Sequence, residues 1–251
     1  MRCDAIFLDL GGTFREVMDR PEVYNAARKR IAEIVGTDMS PDDYWADLNK
    51  RYDKYREWAL FYYCEAPEEY LWSRWLTPEL DRDYIRKNCV ELTYNFRRGK
   101  GNREVVPYGI ETVRELRARG YKVGIISDLV GTIEIDEWLD SDGIRDLFCT
   151  VKQSSVTYLR KPHPAIFFQA LEEAGVYGEN SVFVGDNLNR DIVGAKESGF
   201  GGTVAVEYPG HSLKITEQNV PDCIIHRFDD LLKAFPGNGE YHPEALERRA
   251  P

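Results

Sequence analysis

Residues 5–13 read Ala-Ile-Phe-Leu-Asp-Leu-Gly-Gly-Thr: four apolar side chains, then a carboxylate, a leucine, two glycines and a hydroxyl. A short apolar run of this kind predicts a strand that is buried on both faces of a parallel sheet. Ligands of open α/β sheets bind beyond the carboxyl ends of the strands, so Asp9 is predicted to lie where a ligand binds. Its carboxylate could act as a nucleophile or hold a metal ion, and the alternative is an aspartate that only caps a turn.

Three later stretches of the chain follow the same scheme. A second apolar strand ends in Ser127 and Asp128. Lys161 stands in the sequence Lys-Pro-His-Pro, directly before a helix that is predicted to begin at a proline. A third apolar strand ends in Asp186, and Asp191 follows in the next helical stretch. Strands that alternate with helices predict a parallel sheet, which brings the carboxyl ends of its strands to one edge.

In their order and spacing these four stretches resemble the motifs of the haloacid dehalogenase (HAD) superfamily of hydrolases. The resemblance covers residues 1–15 and 104–235 and implies a Rossmann-like α/β core with a parallel sheet. It also implies that residues 16–103 form an inserted helical cap of the C1 type. Residues 236–251 are a tail rich in glycine, proline and charge, which is predicted to be either disordered or an ordered extension.

The insert is predicted to be helical because its apolar residues recur at helical spacing and prolines stand where helices begin. Pro21, Pro67 and Pro78 each mark a predicted helix start. Hinges are expected near residues 14–17 and 99–101, where the chain enters and leaves the insert. The insert also carries many aromatic side chains. They either pack a small helical bundle or line a substrate pocket, and the sequence leaves both interpretations open.

The resemblance assigns chemical roles to the strand-end residues. It implies that Asp9 attacks phosphorus and forms an aspartyl-phosphate, although an Asp9 that only binds metal in an inactive site is an alternative. Ser127 is implied to donate a hydrogen bond to a phosphoryl oxygen, and Lys161 to neutralise charge as the transition state forms. Thr13 and Asp128 are predicted to contact the substrate together with Ser127 and Lys161.

A metal site is also implied by the resemblance. Asp9, Asp186, Asp191 and the main-chain carbonyl of Gly11 would supply oxygen ligands to Mg²⁺, which prefers such ligands. The alternative for Asp186 and Asp191 is that they cap the following helix. His163 is predicted to start a helix and not to act as a catalytic base.

The chain departs from the family pattern at Gly11. Typical phosphatases of the family have a second aspartate two residues after the nucleophile, which protonates the leaving oxygen and then activates water. Glycine has no side chain and cannot transfer a proton, and general acid–base help is typically worth about 10²–10⁴-fold in rate. The sequence therefore predicts a phosphoryl-binding site whose proton transfer comes from elsewhere or is poor.

Composition limits the partners and the compartment. The net charge of −10 and the pI near 5.1 argue against nucleic acid or an anionic membrane as the main partner. The five cysteines are scattered and form no Cys-x-x-Cys pair, which predicts a reduced, cytoplasmic protein. The first strand begins almost at the first residue, which leaves no room for a signal peptide, and no apolar stretch is long enough to cross a bilayer. The oligomeric state is left open.

Three functions are carried forward. The first is a Mg²⁺-dependent phosphatase that acts on a small phosphorylated metabolite. The second is a binding or regulatory protein that keeps the fold and the metal without useful turnover. The third is hydrolysis of a carbon–phosphorus or carbon–halogen bond, since branches of the family that lack the second aspartate do such chemistry.

Overall fold

The computed structural model describes residues 1–250 as an α/β fold with a helical insert. In chain order its strands are β1 (Ala5–Leu8), β2 (Arg15–Met18), β3 (Asn102–Val105), β4 (Lys122–Ser127), β5 (Thr150–Gln153), β6 (Ser181–Gly185), β7 (Gly202–Val206) and β8 (Cys223–Ile225). Its α-helices are α1 (Pro21–Val35), α2 (Pro41–Tyr62), α3 (Glu68–Tyr70), α4 (Arg82–Arg98), α5 (Gly109–Ala118), α6 (Glu134–Ser141), α7 (Ser154–Thr157), α8 (Pro164–Ala174), α9 (Val193–Glu197) and α10 (Leu231–Ala234). Leu71–Leu76 and Leu188–Ile192 are π-helical.

A parallel sheet in the order β5-β4-β1-β6-β7-β8 forms the core. Strand β1 lies in its interior, paired with β4 on one side and β6 on the other. Because successive side chains of a strand point to opposite faces, Ile6 and Leu8 join one apolar cluster, and Ala5 and Phe7 join another on the opposite face. The predicted strand, buried on both faces, is confirmed, and so is the predicted α/β class with a parallel sheet.

Helices cover both faces of this sheet. Helices α5, α6 and α10 contribute to the cluster around Ile6, and α8 and α9 contribute to the cluster around Phe7. Helices connect β4 to β5, β5 to β6 and β6 to β7, as parallel pairing favours. The carboxyl ends of β4, β1 and β6 therefore meet at one edge of the sheet.

The insert between β2 and β3 is built from helices α1 to α4, with the π-helical turn after α3. They enclose a second apolar cluster, in which Tyr44, Tyr55 and Trp72 are buried. Phe61 and Tyr62, in contrast, are exposed at the end of α2. The interpretation that aromatic residues pack a bundle therefore holds for part of the set. The domain boundaries at 16 and 103 stay a prediction.

One helix of the insert begins later than the sequence predicts. Pro78 was expected to start a helix, but α4 begins at Arg82. The reason is that Asp81 caps it, since its carboxylate accepts a hydrogen bond of 2.9 Å from the main-chain N–H of Tyr84. A side-chain cap satisfies a main-chain donor that proline cannot satisfy, and so it fixes where the helix begins.

The insert contacts the core at more than its two connections. Strands β2 and β3, which lie at or just after the predicted hinges near 14–17 and 99–101, form an antiparallel pair that runs from Arg15 opposite Val105 to Met18 opposite Asn102. At the far end of α2, Cys64 forms an isolated antiparallel bridge with Leu159. The two connecting strands are therefore paired with each other, and the insert bonds to the core through main-chain groups at the end of α2.

The tail is packed against the core over residues 236–250. Tyr241 is 1% exposed, and its ring stacks on Phe235 with 5.0 Å between centroids. Further along, Glu247 forms a bridge with Ile224 of β8. The predicted alternative of a disordered tail is wrong for these residues, because an aromatic anchor within the polar sequence has apolar surface to bury.

No helix within residues 1–250 combines the length and the apolar character that crossing a bilayer requires.

Candidate active site

Asp9 is the first residue after β1, and the register of the sheet determines its neighbours. Leu8 pairs with Ile125 of β4 and with Val184 of β6. Asp9 donates its main-chain N–H to the carbonyl of Val184 at 2.9 Å and is 6% exposed. Its carboxylate therefore lies between the ends of β4 and β6, where the sequence predicts it.

Lys161 bridges two carboxylates in this site. Its Nζ lies 2.7 Å from Asp9 Oδ1 and 2.7 Å from Asp191 Oδ1, and the residue is 1% exposed. Burial alone would lower the pKa of Lys161, but the Asp191 and Asp9 carboxylates raise it above its ordinary value. The side chain is therefore a buried, fixed positive charge in contact with the predicted nucleophile.

Three carboxylates gather beside this lysine. One oxygen from each of Asp9, Asp186 and Asp191 lies within 4.8 Å of the others. Burial, together with the charges of Asp9 and Asp191, raises the pKa of Asp186 to about 7. Burial also raises the pKa of Asp9, against the effect of Lys161. The group carries an excess of negative charge that one lysine does not balance, which favours a cation.

The individual oxygens of this group differ in how they are engaged. Asp186 Oδ1 is buried and has no hydrogen-bond partner among the described residues. Asp191, in contrast, is occupied on both sides, because Oδ1 faces Lys161 and Oδ2 accepts a 3.0 Å hydrogen bond from the N–H of Asn187. Asp186 is thus the carboxylate with the freer oxygen, and Asp191 is held mainly by the protein. Asn187 accepts from the N–H of Arg190 at 3.0 Å and starts the π-helical turn.

Glycine is required next to the carboxylates but not at residue 11. Gly12 has φ +80°, and a Cβ there would lie 2.5 Å from Asp186 Oδ2, so a side chain would displace that carboxylate. Gly11 is exposed, lies outside the positive-φ region, and has open space where a Cβ would stand. Its lack of a side chain is therefore not imposed by packing or by the backbone.

Ser127 and Thr13 carry the hydroxyls that the sequence places in the site. Ser127 ends β4, is 4% exposed, and its hydroxyl makes no hydrogen bond to any other residue in the range 1–250. Thr13 is fully buried and its Oγ1 lacks a partner within the same range. Its main-chain carbonyl accepts a 2.7 Å hydrogen bond from the hydroxyl of Tyr208. The substrate contacts of Ser127 and Thr13 stay predictions.

Asp128 is placed to hold other site residues. Its side chain is 3% exposed, and Oδ1 accepts a 3.0 Å hydrogen bond from the main-chain N–H of Lys161. Oδ2 lies 3.7 Å from a guanidinium nitrogen of Arg160 and 3.6 Å from one of Arg190. The structure thus shows Asp128 fixing the loop that carries Lys161, and its predicted contact with substrate stays a prediction.

Sequence reasoning missed Arg160, Arg190 and Glu65. Each arginine directly precedes a predicted site residue, so its neighbour was the available signal. Glu65 is an acid of the insert whose side chain is 0% exposed, and it accepts hydrogen bonds from Arg160 and, at 2.7 Å, from the hydroxyl of Ser154. Its contact spans 95 residues of chain, and no local pattern indicates it. His163 begins α8 as predicted, since its Nδ1 accepts from the N–H of Ala165 at 3.2 Å.

Comparison with known proteins identifies the family. A family model for haloacid dehalogenase-like hydrolases matches residues 3–199. The chain belongs to the haloacid dehalogenase-like hydrolases. It is 30% identical over 242 residues to glyceraldehyde 3-phosphate phosphatase of Pyrococcus furiosus, a match that covers 93% of each chain. It is 31% identical over 135 residues to phosphoglycolate phosphatase of Yersinia pestis, which covers 53% of this chain and 56% of that one.

Solved structures show the same fold in other HAD-like hydrolases. The 2-haloacid dehalogenase from Pseudomonas syringae pv. Tomato DC3000 superposes with a TM-score of 0.67 at 21% identity, over 91% of this chain and 96% of that one. Coverage of nearly the whole chain includes the helical insert, so the cap belongs to the shared fold. Identity at this level supports the fold, whereas the reaction has to be argued from the site.

Proposed function

We propose that this HAD-like hydrolase is a Mg²⁺-dependent phosphatase that acts on a small phosphorylated metabolite through an aspartyl-phosphate. The observation that carries the proposal is the position of Lys161 Nζ, 2.7 Å from both Asp9 and Asp191, beside the unpartnered oxygen of Asp186. A buried carboxylate that contacts a fixed cation is oriented for nucleophilic attack, which at neutral pH needs no deprotonation.

The proposed reaction uses residues of this chain in two steps. Asp9 attacks phosphorus, forming a bond from its carboxylate oxygen as the bond from phosphorus to the leaving oxygen breaks. Lys161 balances negative charge on the transferring group, and the Ser127 hydroxyl donates to one of its oxygens. Water then attacks phosphorus and gives its proton to solvent as the bond from phosphorus to the Asp9 oxygen breaks, which releases phosphate and the free carboxylate. Proton transfer to the leaving oxygen comes from solvent, because Gly11 offers no acid.

The acidic group fits Mg²⁺. Asp9, Asp186 and the carbonyl of Gly11 would hold the ion, with Asp191 behind them, and all are oxygen donors of the kind that Mg²⁺ prefers. The unpartnered buried oxygen of Asp186 supports this, since such an oxygen is costly without a partner. When bound, Mg²⁺ supplies charge neutralisation for the phosphoryl oxygens.

The names of two relatives support the phosphatase class, because both are phosphatases of small metabolites. We also propose that the protein works in the reducing cytoplasm, which its scattered cysteines predict. The open position at Gly11 favours a second candidate, a binding or regulatory protein with little turnover, and the experiment below separates the two.

Hydrolysis of p-nitrophenyl phosphate with and without Mg²⁺ tests the proposal, because this activated leaving group needs no proton. We expect Mg²⁺-dependent turnover in the wild type and a loss of at least 10²-fold in Asp9→Asn. Asp38→Asn, an exposed carboxylate far from the site in sequence, is the matched control and should keep wild-type activity. Activity that is absent in the wild type, or equal in Asp9→Asn, contradicts the proposed phosphatase.

Binding of Mg²⁺ is tested separately by calorimetry on the wild type and on Asp186→Ala. The wild type should bind one ion and the variant should bind it much more weakly. Equal binding by both proteins would remove Asp186 from the site. Metal binding without turnover in the first experiment would support the binding protein instead.

A further inference from the structure

Lys100 is a half-buried cation without an anionic partner. It follows α4, and its Nζ lies 3.8 Å from the ring centroid of Tyr52 and 4.6 Å from that of Phe96. Within residues 1–250 no carboxylate oxygen lies within 4 Å of this ammonium. The ammonium thus makes cation–π contacts with two aromatic rings, and its other side is available to an anionic group.

The neighbours of Lys100 are mostly cations. Burial, together with the charges of Arg97, Arg56 and Arg103 and against that of Asp53, lowers the pKa of Lys100 to about 7. Arg103 is also half-buried and donates to the main-chain carbonyl of Arg97 at 3.3 Å, with no carboxylate partner in the described range. Buried charges are normally paired, so this cluster is short of negative charge.

One side of this cluster connects to the lysine of the active site. Tyr52 and Tyr55 lie one turn apart on α2, with 5.7 Å between ring centroids. The Tyr55 hydroxyl donates to Glu65, which also accepts from Arg160, the residue before Lys161. Helix α2 therefore turns this face to the part of the core that carries the active-site lysine.

The other side connects to the loop that follows Ser127. Arg97 lies one turn before Lys100 at the end of α4, and its Nε donates to Glu134 at 2.9 Å. Glu134 begins α6, only seven residues after Ser127. Arg97 is thus paired with a core carboxylate, and the two cations without such a partner within residues 1–250, Lys100 and Arg103, follow it in the chain. The two contacts of cap with core involve Glu134 and Arg160, which lie near Ser127 and Lys161 in the sequence.

We propose that Lys100, together with Arg103, binds a second anionic group of the substrate, a carboxylate or a second phosphate. The inference rests on the proposed phosphatase and narrows its substrate class to phosphate esters with a second negative charge. The Lys100 ammonium would bind such a group on the side away from the two aromatic rings. The group would supply the negative charge that the cluster lacks. A neutral ester tail would leave the cations unpaired.

Three probes that differ in the tail test the inference: propyl phosphate, 2-carboxyethyl phosphate and propane-1,3-diyl bisphosphate. In the wild type with Mg²⁺ we expect kcat/KM to be at least tenfold higher for one or both charged probes than for propyl phosphate. The better of the two charged probes identifies the second group as a carboxylate or a phosphate. Equal kcat/KM for all three probes overturns the inference.

Two lysine variants localise the effect. Lys100→Met keeps much of the aliphatic stem and should reduce the preference for the charged probe by at least tenfold, mainly through KM. Lys100→Arg should keep part of that preference. Lys54→Met, an exposed lysine on α2, is the matched control and should keep all of it. A preference that is unchanged in Lys100→Met overturns the assignment.

A binding measurement separates this inference from the proposed function. Calorimetric titration with propane-1,3-diyl bisphosphonate, which is not hydrolysed, should show at least tenfold tighter binding to the wild type than to Lys100→Met. Thermal unfolding of both proteins shows whether the variant is folded. Failure to hydrolyse any ester, with this binding difference intact, refutes only the phosphatase. Hydrolysis of esters without any binding difference refutes only the role of Lys100.

Discussion

Replacing Gly11 with aspartate tests whether the absence of a general acid at residue 11 limits the rate of hydrolysis. The backbone at Gly11 lies outside the positive-φ region, and a Cβ there would have no heavy atom within 4 Å. Aspartate should therefore fit without strain, and the loss of chain flexibility in the unfolded state favours folding by about 0.4–1 kcal/mol. Repulsion from the nearby carboxylates opposes this gain. We expect the thermal midpoint of Gly11→Asp to stay within a few degrees of the wild type.

The expected gain in rate depends on the leaving group. A well-placed general acid contributes about 10²–10⁴-fold, which is the upper limit for Gly11→Asp on propyl phosphate. A grafted carboxylate without supporting hydrogen bonds reaches only part of this, so we expect about 10-fold or more. On p-nitrophenyl phosphate, whose leaving group needs no proton, the gain should stay below about threefold.

The assay compares kcat for both esters in the wild type, Gly11→Asp and a neighbouring control. Gly12→Asp is that control, because its positive φ and its clash with Asp186 Oδ2 should cost about 1–3 kcal/mol of stability and disturb the site. A folded Gly11→Asp protein with no gain on propyl phosphate refutes the reasoning, since another group would then deliver the proton. An equal gain on both esters would refute it as well.

Three further predictions concern stability. Glu65→Ala leaves the buried guanidinium of Arg160 without its partner and should lower the free energy of unfolding by about 3–5 kcal/mol. Glu57→Ala, on the exposed side of α2, should change it little. Equal losses of the two variants in urea unfolding contradict this prediction. Tyr241→Ala should lower the free energy of unfolding by about 3–5 kcal/mol in the same measurement. Tyr177 is 72% exposed, and Tyr177→Ala should lower it by less than about 0.5 kcal/mol. The pKa of Glu207 is lowered to about 2 by hydrogen bonds from an arginine and a main-chain N–H, so its contribution is complete above about pH 4.5 and is lost as the pH falls towards 2. The stability difference between wild type and Glu207→Gln should therefore shrink between pH 6 and pH 2.5, and a constant difference speaks against the ion pair.

The sequence predicted the residues of the site that lie at strand ends. Asp9, Ser127 and Asp186 each end or follow a short apolar run, and Lys161 precedes a helix with a proline start. These are local patterns, and the parallel sheet brings them together because the carboxyl ends of its strands share one edge. The open space at Gly11 needed the structure, since a glycine in sequence does not reveal its φ or its surroundings.

Contacts between distant segments could not be predicted in this way. Glu65 reaches Arg160 across the join of cap and core, and neither residue stands in a pattern that names the other. The antiparallel pairing of β2 with β3 was missed because each strand is only four residues long and half exposed. Tyr241 lies in a stretch whose composition is typical of a disordered tail. Burial of its aromatic ring orders the stretch, and composition alone does not reveal that contact.

The bridge between Glu247 and Ile224 has a consequence for association between molecules. Strand β8 is at the border of the sheet, and the tail bonds to it there, with the N–H of Ile224 donating to the carbonyl of Glu247 at 2.8 Å. An exposed edge strand offers unpaired main-chain N–H and C=O groups to other chains, which promotes aggregation. Truncation before Tyr241 would therefore expose the edge of β8 and also remove the packing of Tyr241 on the core. The truncated protein should aggregate at concentrations where the full chain stays in solution.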